Sequence, residues 1–152
     1  MRRALVSRLT LVAVLAMSTT VAADSQPRLT GYVSGLELCP QSLCGAAVFA
    51  GRFVGLVDGR LTLGAFWGAI NHEPLPAAYE TAAIAGGHWL IWTRRGTYEG
   101  VVPLGTITNN GDNTFTVALT MLFTDGGAGT VTFLGRLDHN VFPPTVLGAI
   151  AQ

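Results

Sequence analysis

The chain contains no lysine, so all nine basic residues among its 152 are arginines. This absence excludes Schiff-base chemistry, a cofactor held covalently on lysine, and a phosphate-binding loop that ends in Gly-Lys-Ser/Thr. Charged residues make up only 12% of the sequence, and nine acidic residues balance the nine basic ones. So little charge argues against a disordered polyelectrolyte, and the lack of a basic cluster argues against nucleic acid as a partner.

The sequence also offers few groups for covalent catalysis or metal binding. No serine lies in a Gly-x-Ser-x-Gly setting, which is typical of one large class of serine hydrolases. His72, His88 and His139 show neither His-x-His nor His-x-x-x-His spacing, so we predict no metal site and no cofactor. The alternative is that the fold joins His72 or His139 to a neighbouring carboxylate, Glu73 or Asp138, as metal ligands or as a general acid and base.

Long apolar runs are missing as well, because nothing after residue 23 approaches the ~18 unbroken apolar residues of a membrane helix. The N-terminus has three arginines, an apolar stretch over 9–17 and small residues up to Ala23. This layout predicts a secretory signal peptide over 1–23, with a membrane anchor as the alternative. We expect a single domain over 24–152, exported to the periplasm or the medium, with no transmembrane span. In such an oxidising compartment Cys39 and Cys44, the only cysteines, are expected to form a local disulfide.

An alternation of apolar and polar residues, punctuated by glycine, fills the remaining sequence and predicts β-strands. The clearest strand is 114–124, where apolar side chains would line one face and mostly threonines the other. Asp58-Gly59 predicts a two-residue hairpin turn. Residues 77–85 favour a short helix ended by Gly86-Gly87, with a strand as the alternative. The candidate strands are 29–35, 46–57, 60–71, 87–93, 97–108, 114–124, 130–139 and 145–151.

Seven to eight strands joined mainly by hairpins predict an all-β fold, a single antiparallel meander, with a closed barrel favoured over a sandwich. The glycine-aromatic texture of Gly96-Thr97-Tyr98-Glu99-Gly100 and of residues 129–135 resembles small secreted barrels of the allene-oxide-cyclase and dirigent type. The resemblance implies a barrel architecture and no catalytic residues. An outer-membrane barrel is the alternative hypothesis. The apolar residues on both strand faces and the low charge argue against it, because such barrels usually have a polar interior.

Candidate functional residues are few. His88 shares a predicted strand face with Trp92, and Tyr98 begins the next strand. If that face is the barrel interior, His88 would be a polar contact in an apolar ligand pocket; if it is the exterior, His88 is a surface residue. We therefore predict His88, Trp92 and Tyr98 as ligand-binding residues. Arg94-Arg95, beside these aromatics, is either an anion- or sugar-binding surface or a solvated hairpin tip.

The leading hypothesis is an exported small β-barrel that binds an apolar or amphipathic small molecule in its mouth. One alternative is a cofactor-independent isomerase or cyclase that uses the same cavity, with His88, Glu80 or Glu99 as its titratable group. The other is a structural or protein-interaction module that acts through a strand edge or the threonine face.

Overall fold

The computed structural model describes residues 28–152, which form a closed barrel of eight strands. Each strand is antiparallel to the next, and the last pairs with the first to close the ring. The predicted all-β class, single meander and closed barrel are confirmed, whereas the predicted signal peptide lies outside the described residues. The strands are β1 Leu29–Cys39, β2 Ala47–Val57, β3 Arg60–His72, β4 Thr81–Thr93, β5 Gly96–Asn109, β6 Thr114–Asp125, β7 Thr130–Asp138 and β8 Thr145–Ala151.

The turn between β2 and β3 has the geometry that its sequence predicts. Asp58 and Gly59 adopt positive φ values of 52° and 71°, as the central residues of a type I′ turn must. Val57 is paired with Arg60, and the register continues without a break to the pair of Ala47 with Ile70. This tight turn fixes which residues of both strands face the barrel interior.

The predicted helix over 77–85 is wrong and its alternative, a strand, is confirmed from Thr81 onward, because β4 begins at Thr81 and continues to Thr93 as one strand. Thr81 is paired with Thr108 and Ile84 with Gly105 on β5, and the Ile84 side chain is buried. Local helix propensity in this alanine-rich segment is overridden by strand pairing and by the burial of Ile84. Gly86 and Gly87, the predicted end of that helix, lie within β4, next to a register shift against β3.

The core is the barrel interior, filled by inward-facing apolar side chains from all eight strands. On β6 the alternation is as predicted, with Phe115, Val117 and Met121 buried. Full burial of one such side chain contributes about 1.5–3 kcal/mol. No helix among residues 28–152 is long and apolar enough to cross a membrane.

The predicted disulfide between Cys39 and Cys44 is confirmed, and it holds a short helix, α1, Gln41–Cys44, against one end of the barrel. The closed loop is short, so its chain-entropy contribution is about 2 kcal/mol. Gln41 ties α1 to the end of β3, since its Nε2 donates to the His72 carbonyl oxygen and its Oε1 accepts from the His72 backbone N–H, both at 2.8 Å. The disulfide and these two hydrogen bonds therefore fix α1 at one end of the barrel.

Asp112, between β5 and β6, has its carboxylate beside Thr114 and Arg136. Its carboxylate accepts hydrogen bonds from the hydroxyl and the backbone N–H of Thr114 and lies 3.3 Å from Arg136. The hydroxyl of Thr114, and to a lesser degree Arg136, lower the pKa of Asp112. A carboxylate with a lower pKa in the folded than in the unfolded state stabilises the fold above its unfolded pKa, and this stabilisation is lost as the pH falls through the folded value.

We therefore expect Asp112→Asn to unfold at lower urea concentration than the wild type at neutral pH. The difference should shrink below about pH 4 and vanish once the wild-type carboxyl is protonated. Urea unfolding followed from neutral pH down to about pH 3 measures this convergence. A difference that stays constant over that range contradicts the assigned role.

Candidate functional site

The end of the barrel beside α1 holds a pocket of about 370 Å³, which we call the mouth pocket. Its apolar wall includes Phe49, Ile70 and Leu137, and its polar side chains include Glu37 and His139. This volume lies within the ~300–1,000 Å³ that is usual for small-molecule sites. An apolar concavity with a few polar groups is the arrangement that such sites share.

Glu37 is the polar centre of the mouth pocket. Of the acidic residues that the structure describes, it alone is buried, with 8% of its surface exposed. It lies on the inward face of β1 with Leu29 and Val33, and its backbone N–H donates to the Pro144 carbonyl oxygen at 2.9 Å. Because a buried carboxylate is costly unless it is paired or hydrogen-bonded, its partners matter.

The imidazole of His139 lies against the carboxylate of Glu37. It directly follows β7, and its Nε2 lies 3.1 Å from Oε2 of Glu37. The Nε2 atom is buried and is not aligned for a hydrogen bond, so this is a close electrostatic contact. The ring of Phe115 packs edge-on against the imidazole, with the ring centres 5.2 Å apart. A carboxylate has about four acceptor positions, so one neighbour leaves Glu37 with acceptor capacity for a ligand.

The sequence suggests His72 with Glu73 and His139 with Asp138 as metal ligands or acid–base groups, and the structure pairs neither set of side chains. His72, at the end of β3, lines the mouth pocket with His139, and its Nδ1 is in contact with the Glu73 carbonyl oxygen. The Asp138 carboxylate instead accepts a hydrogen bond from the Asn140 backbone N–H at 2.9 Å. Adjacent residues of a strand face opposite sides, so Asp138 and His139 do not point into the same site. Within residues 28–152, no group of three His, Cys, Asp or Glu side chains is placed to hold a metal ion.

A second, smaller cavity of about 70 Å³ lies within the barrel, and we call it the inner cavity. Phe49, Ile70 and Leu137 line both the inner cavity and the mouth pocket. The other inward-facing side chains around it are apolar, among them Val102 and Met121, except for the Trp89 indole, whose N–H is buried without a hydrogen-bond partner. A void with such walls excludes water and accepts apolar groups.

The three ligand-binding residues predicted from sequence do not meet at one site. His88 and Trp92 lie on the outer face of β4, where both are exposed. Tyr98 is inside the barrel and 4% exposed, at the end opposite the mouth pocket. None of the three lines the mouth pocket, although His88 borders the inner cavity at the barrel wall. Glu80 and Glu99, named for an isomerase, are exposed.

Tyr98 is nevertheless in an unusual environment. Burial raises its pKa above the ordinary value, the charge of Asp58 raises it further, and Arg95 opposes both. A phenol whose pKa is raised by folding stabilises the fold below its unfolded pKa, about 10, and this stabilisation is lost as the pH rises through the folded value.

We expect the wild type to lose stability above about pH 10 more steeply than Tyr98→Phe does. Urea unfolding at neutral and alkaline pH measures both slopes. Phenolate absorbance should show one tyrosine that ionises above the ordinary range of a phenol, and this step should be missing in Tyr98→Phe. Equal alkaline slopes in the two proteins would contradict the effect of burial.

Glu37 is the site residue that sequence reasoning missed. The predicted first strand ended at Gly35, whereas β1 continues to Cys39. The inward alternation of Leu29, Gly31, Val33 and Gly35, extended by one step, reaches Glu37. A first strand extended by two residues would therefore have predicted an inward-facing Glu37.

The outer face of the barrel is also apolar in places. Leu61 is paired with Leu56, and Leu63 with Val54, across β2 and β3, and all four side chains are exposed. Among the described strands no edge is free, because the barrel is closed. A protein-interaction module would therefore have to use this face rather than a strand edge.

Comparison with known proteins finds no protein-family model, no curated protein and no solved structure that matches this chain.

Proposed function

We propose that this protein is an exported β-barrel that binds a small amphipathic molecule in the mouth pocket. The polar head of the ligand lies at Glu37, and its apolar part packs against Phe49, Ile70 and Leu137. The observation that carries the proposal is the buried carboxylate of Glu37, 3.1 Å from His139, at the edge of an otherwise largely apolar pocket of about 370 Å³. The disulfide supports export, because such bonds persist in oxidising compartments.

The charge of the pocket selects the head group of the ligand. Glu37 is the one acidic side chain among the described residues that line the mouth pocket, and no arginine is among them, so the carboxylate sets the electrostatic character of the pocket. A carboxylate only accepts hydrogen bonds, and a bond to a charged donor is the stronger kind. The pocket therefore favours an ammonium or hydroxyl head and disfavours a carboxylate head.

Isothermal titration with octylamine, 1-octanol and octanoate at about pH 8 tests this proposal. The three probes have chains of similar length and differ in the head group. We expect octylamine to bind at least about tenfold more tightly than octanoate, with 1-octanol between them. The proposal is wrong if none of the three binds above background, or if octanoate binds best.

The contact between Glu37 and His139 also supports a second candidate, a cofactor-independent isomerase. A carboxylate that takes a proton from carbon and an imidazole that returns one are a usual acid–base pair. An enzyme of this kind would exchange the α-hydrogens of 2-octanone for deuterium in D2O, and proton NMR would follow the exchange. Exchange above the buffer rate that Glu37→Gln abolishes supports the enzyme, and its absence leaves binding alone.

A further inference from the structure

Of the glycines in the described strands that lie outside the positive-φ region, Gly68 alone would accept a Cβ atom without a contact under 3 Å. A Cβ atom built on Gly68 would have a single neighbour within 4 Å, the His88 carbonyl oxygen at 3.8 Å. On Gly51 or Gly100 it would lie 2.1 or 1.8 Å from a backbone oxygen of the neighbouring strand. Those glycines allow strands to approach closely, as glycine in strands often does. Gly68 leaves space instead, and this space belongs to the inner cavity, which Gly68 lines.

We infer that the inner cavity holds the end of the ligand's alkyl chain and that Gly68 sets the chain length that the barrel accepts. This inference rests on the proposed function, because it needs the head of the ligand at Glu37. The mouth pocket and the inner cavity share Phe49, Ile70 and Leu137. A chain that starts at Glu37 and passes these three side chains enters the inner cavity.

The size and lining of the inner cavity define the ligand class further. Its volume of about 70 Å³ is roughly half that of the ~150 Å³ engineered cavity that admits benzene. It accommodates the end of a straight alkyl chain and not an aromatic ring. Apart from the indole N–H of Trp89, the inward-facing side chains that line it are apolar, so a second polar group on the ligand has at most that one partner, which is unfavourable. The ligand class is therefore an amphipathic molecule with an ammonium or hydroxyl head and one unbranched alkyl chain.

A chain-length series tests the inference, with n-alkylamines from butylamine to dodecylamine titrated into the wild type and into Gly68→Leu. In the wild type, affinity should rise about fourfold per methylene until the inner cavity is full, and then level off. The leucine side chain occupies the cavity, so in Gly68→Leu the plateau should come two or three methylenes earlier. The longest amines then bind about tenfold or more weakly, and the shortest bind as before.

Ala65→Leu is the matched control, because Ala65 is exposed on the outer face of the same strand. It adds bulk outside the barrel and should reproduce the wild-type series. Met121→Ala, which enlarges the inner cavity, should move the plateau to longer chains and decides the matter if Gly68→Leu does not fold.

The outcomes separate the two proposals. If the wild type binds no alkylamine, the proposed function fails and this inference fails with it. If alkylamines bind but the plateau stays at the wild-type length in Gly68→Leu and Met121→Ala, only the inference is overturned. A loss of affinity that is equal at all lengths in Gly68→Leu, without a shifted plateau in Met121→Ala, overturns it as well.

Discussion

Gly100→Ala is expected to lower the free energy of unfolding by about 3 kcal/mol or more. The new Cβ would lie 1.8 Å from the Leu122 carbonyl oxygen and 2.7 Å from Nε1 of Trp89. Leu122 belongs to β6, which is paired with β5 beside Gly100, so the clash cannot be relieved by a side-chain rotation. In a closed barrel the displaced strand has a paired neighbour on each side, and the distortion passes to both.

Gly68→Ala is the matched control, since its Cβ would come no closer than 3.8 Å to another group. We expect its free energy of unfolding to remain within about 0.5 kcal/mol of the wild type, or to rise slightly because alanine restricts the unfolded chain. Urea unfolding of the two variants measures both changes. Similar losses in both would show that the close approach of β5 and β6 does not decide the effect.

Much of the fold could be predicted from local sequence, and the reason is visible in β6. Phe115, Val117 and Met121 alternate with threonine, and a strand buried on one face requires that period of two. The helix predicted over 77–85 is wrong because alanine permits either helix or strand. Pairing of Thr81 and Ile84 with β5 decides for the strand. Pairing partners distant in sequence are not encoded in the segment itself.

The candidate site was harder to predict because its residues meet only when the barrel closes. Glu37 is on β1 and His139 follows β7, and β8 lies between these two strands in the sheet. The alternation of β1, extended to the observed strand end, and that of β7, extended one residue beyond it, give both residues an inward position but do not show that they are neighbours. His88 and Trp92 show the converse limit, since the period of two placed them correctly on one face without showing that this face is the outer one.

Glu37→Gln is expected to weaken the binding of octylamine at least about tenfold, because a hydrogen bond to a charged group contributes about 1.5–3 kcal/mol. Glutamine keeps the shape of the side chain and removes its negative charge. The preference for octylamine over octanoate should therefore shrink or reverse in the same variant. Glu99→Gln makes the same change on an exposed residue of β5, and all three probes should bind it as they bind the wild type.

The free energy of unfolding distinguishes a ligand-binding carboxylate from a structural one. A buried charge with only one close partner contributes little net stability, so Glu37→Gln should unfold at the same urea concentration as the wild type or at a higher one. A carboxylate retained for the fold would give the opposite result, with lower stability and unchanged binding of octylamine. Loss of affinity without loss of stability is the result that the mouth pocket predicts, since functional sites often keep groups that do not stabilise the fold.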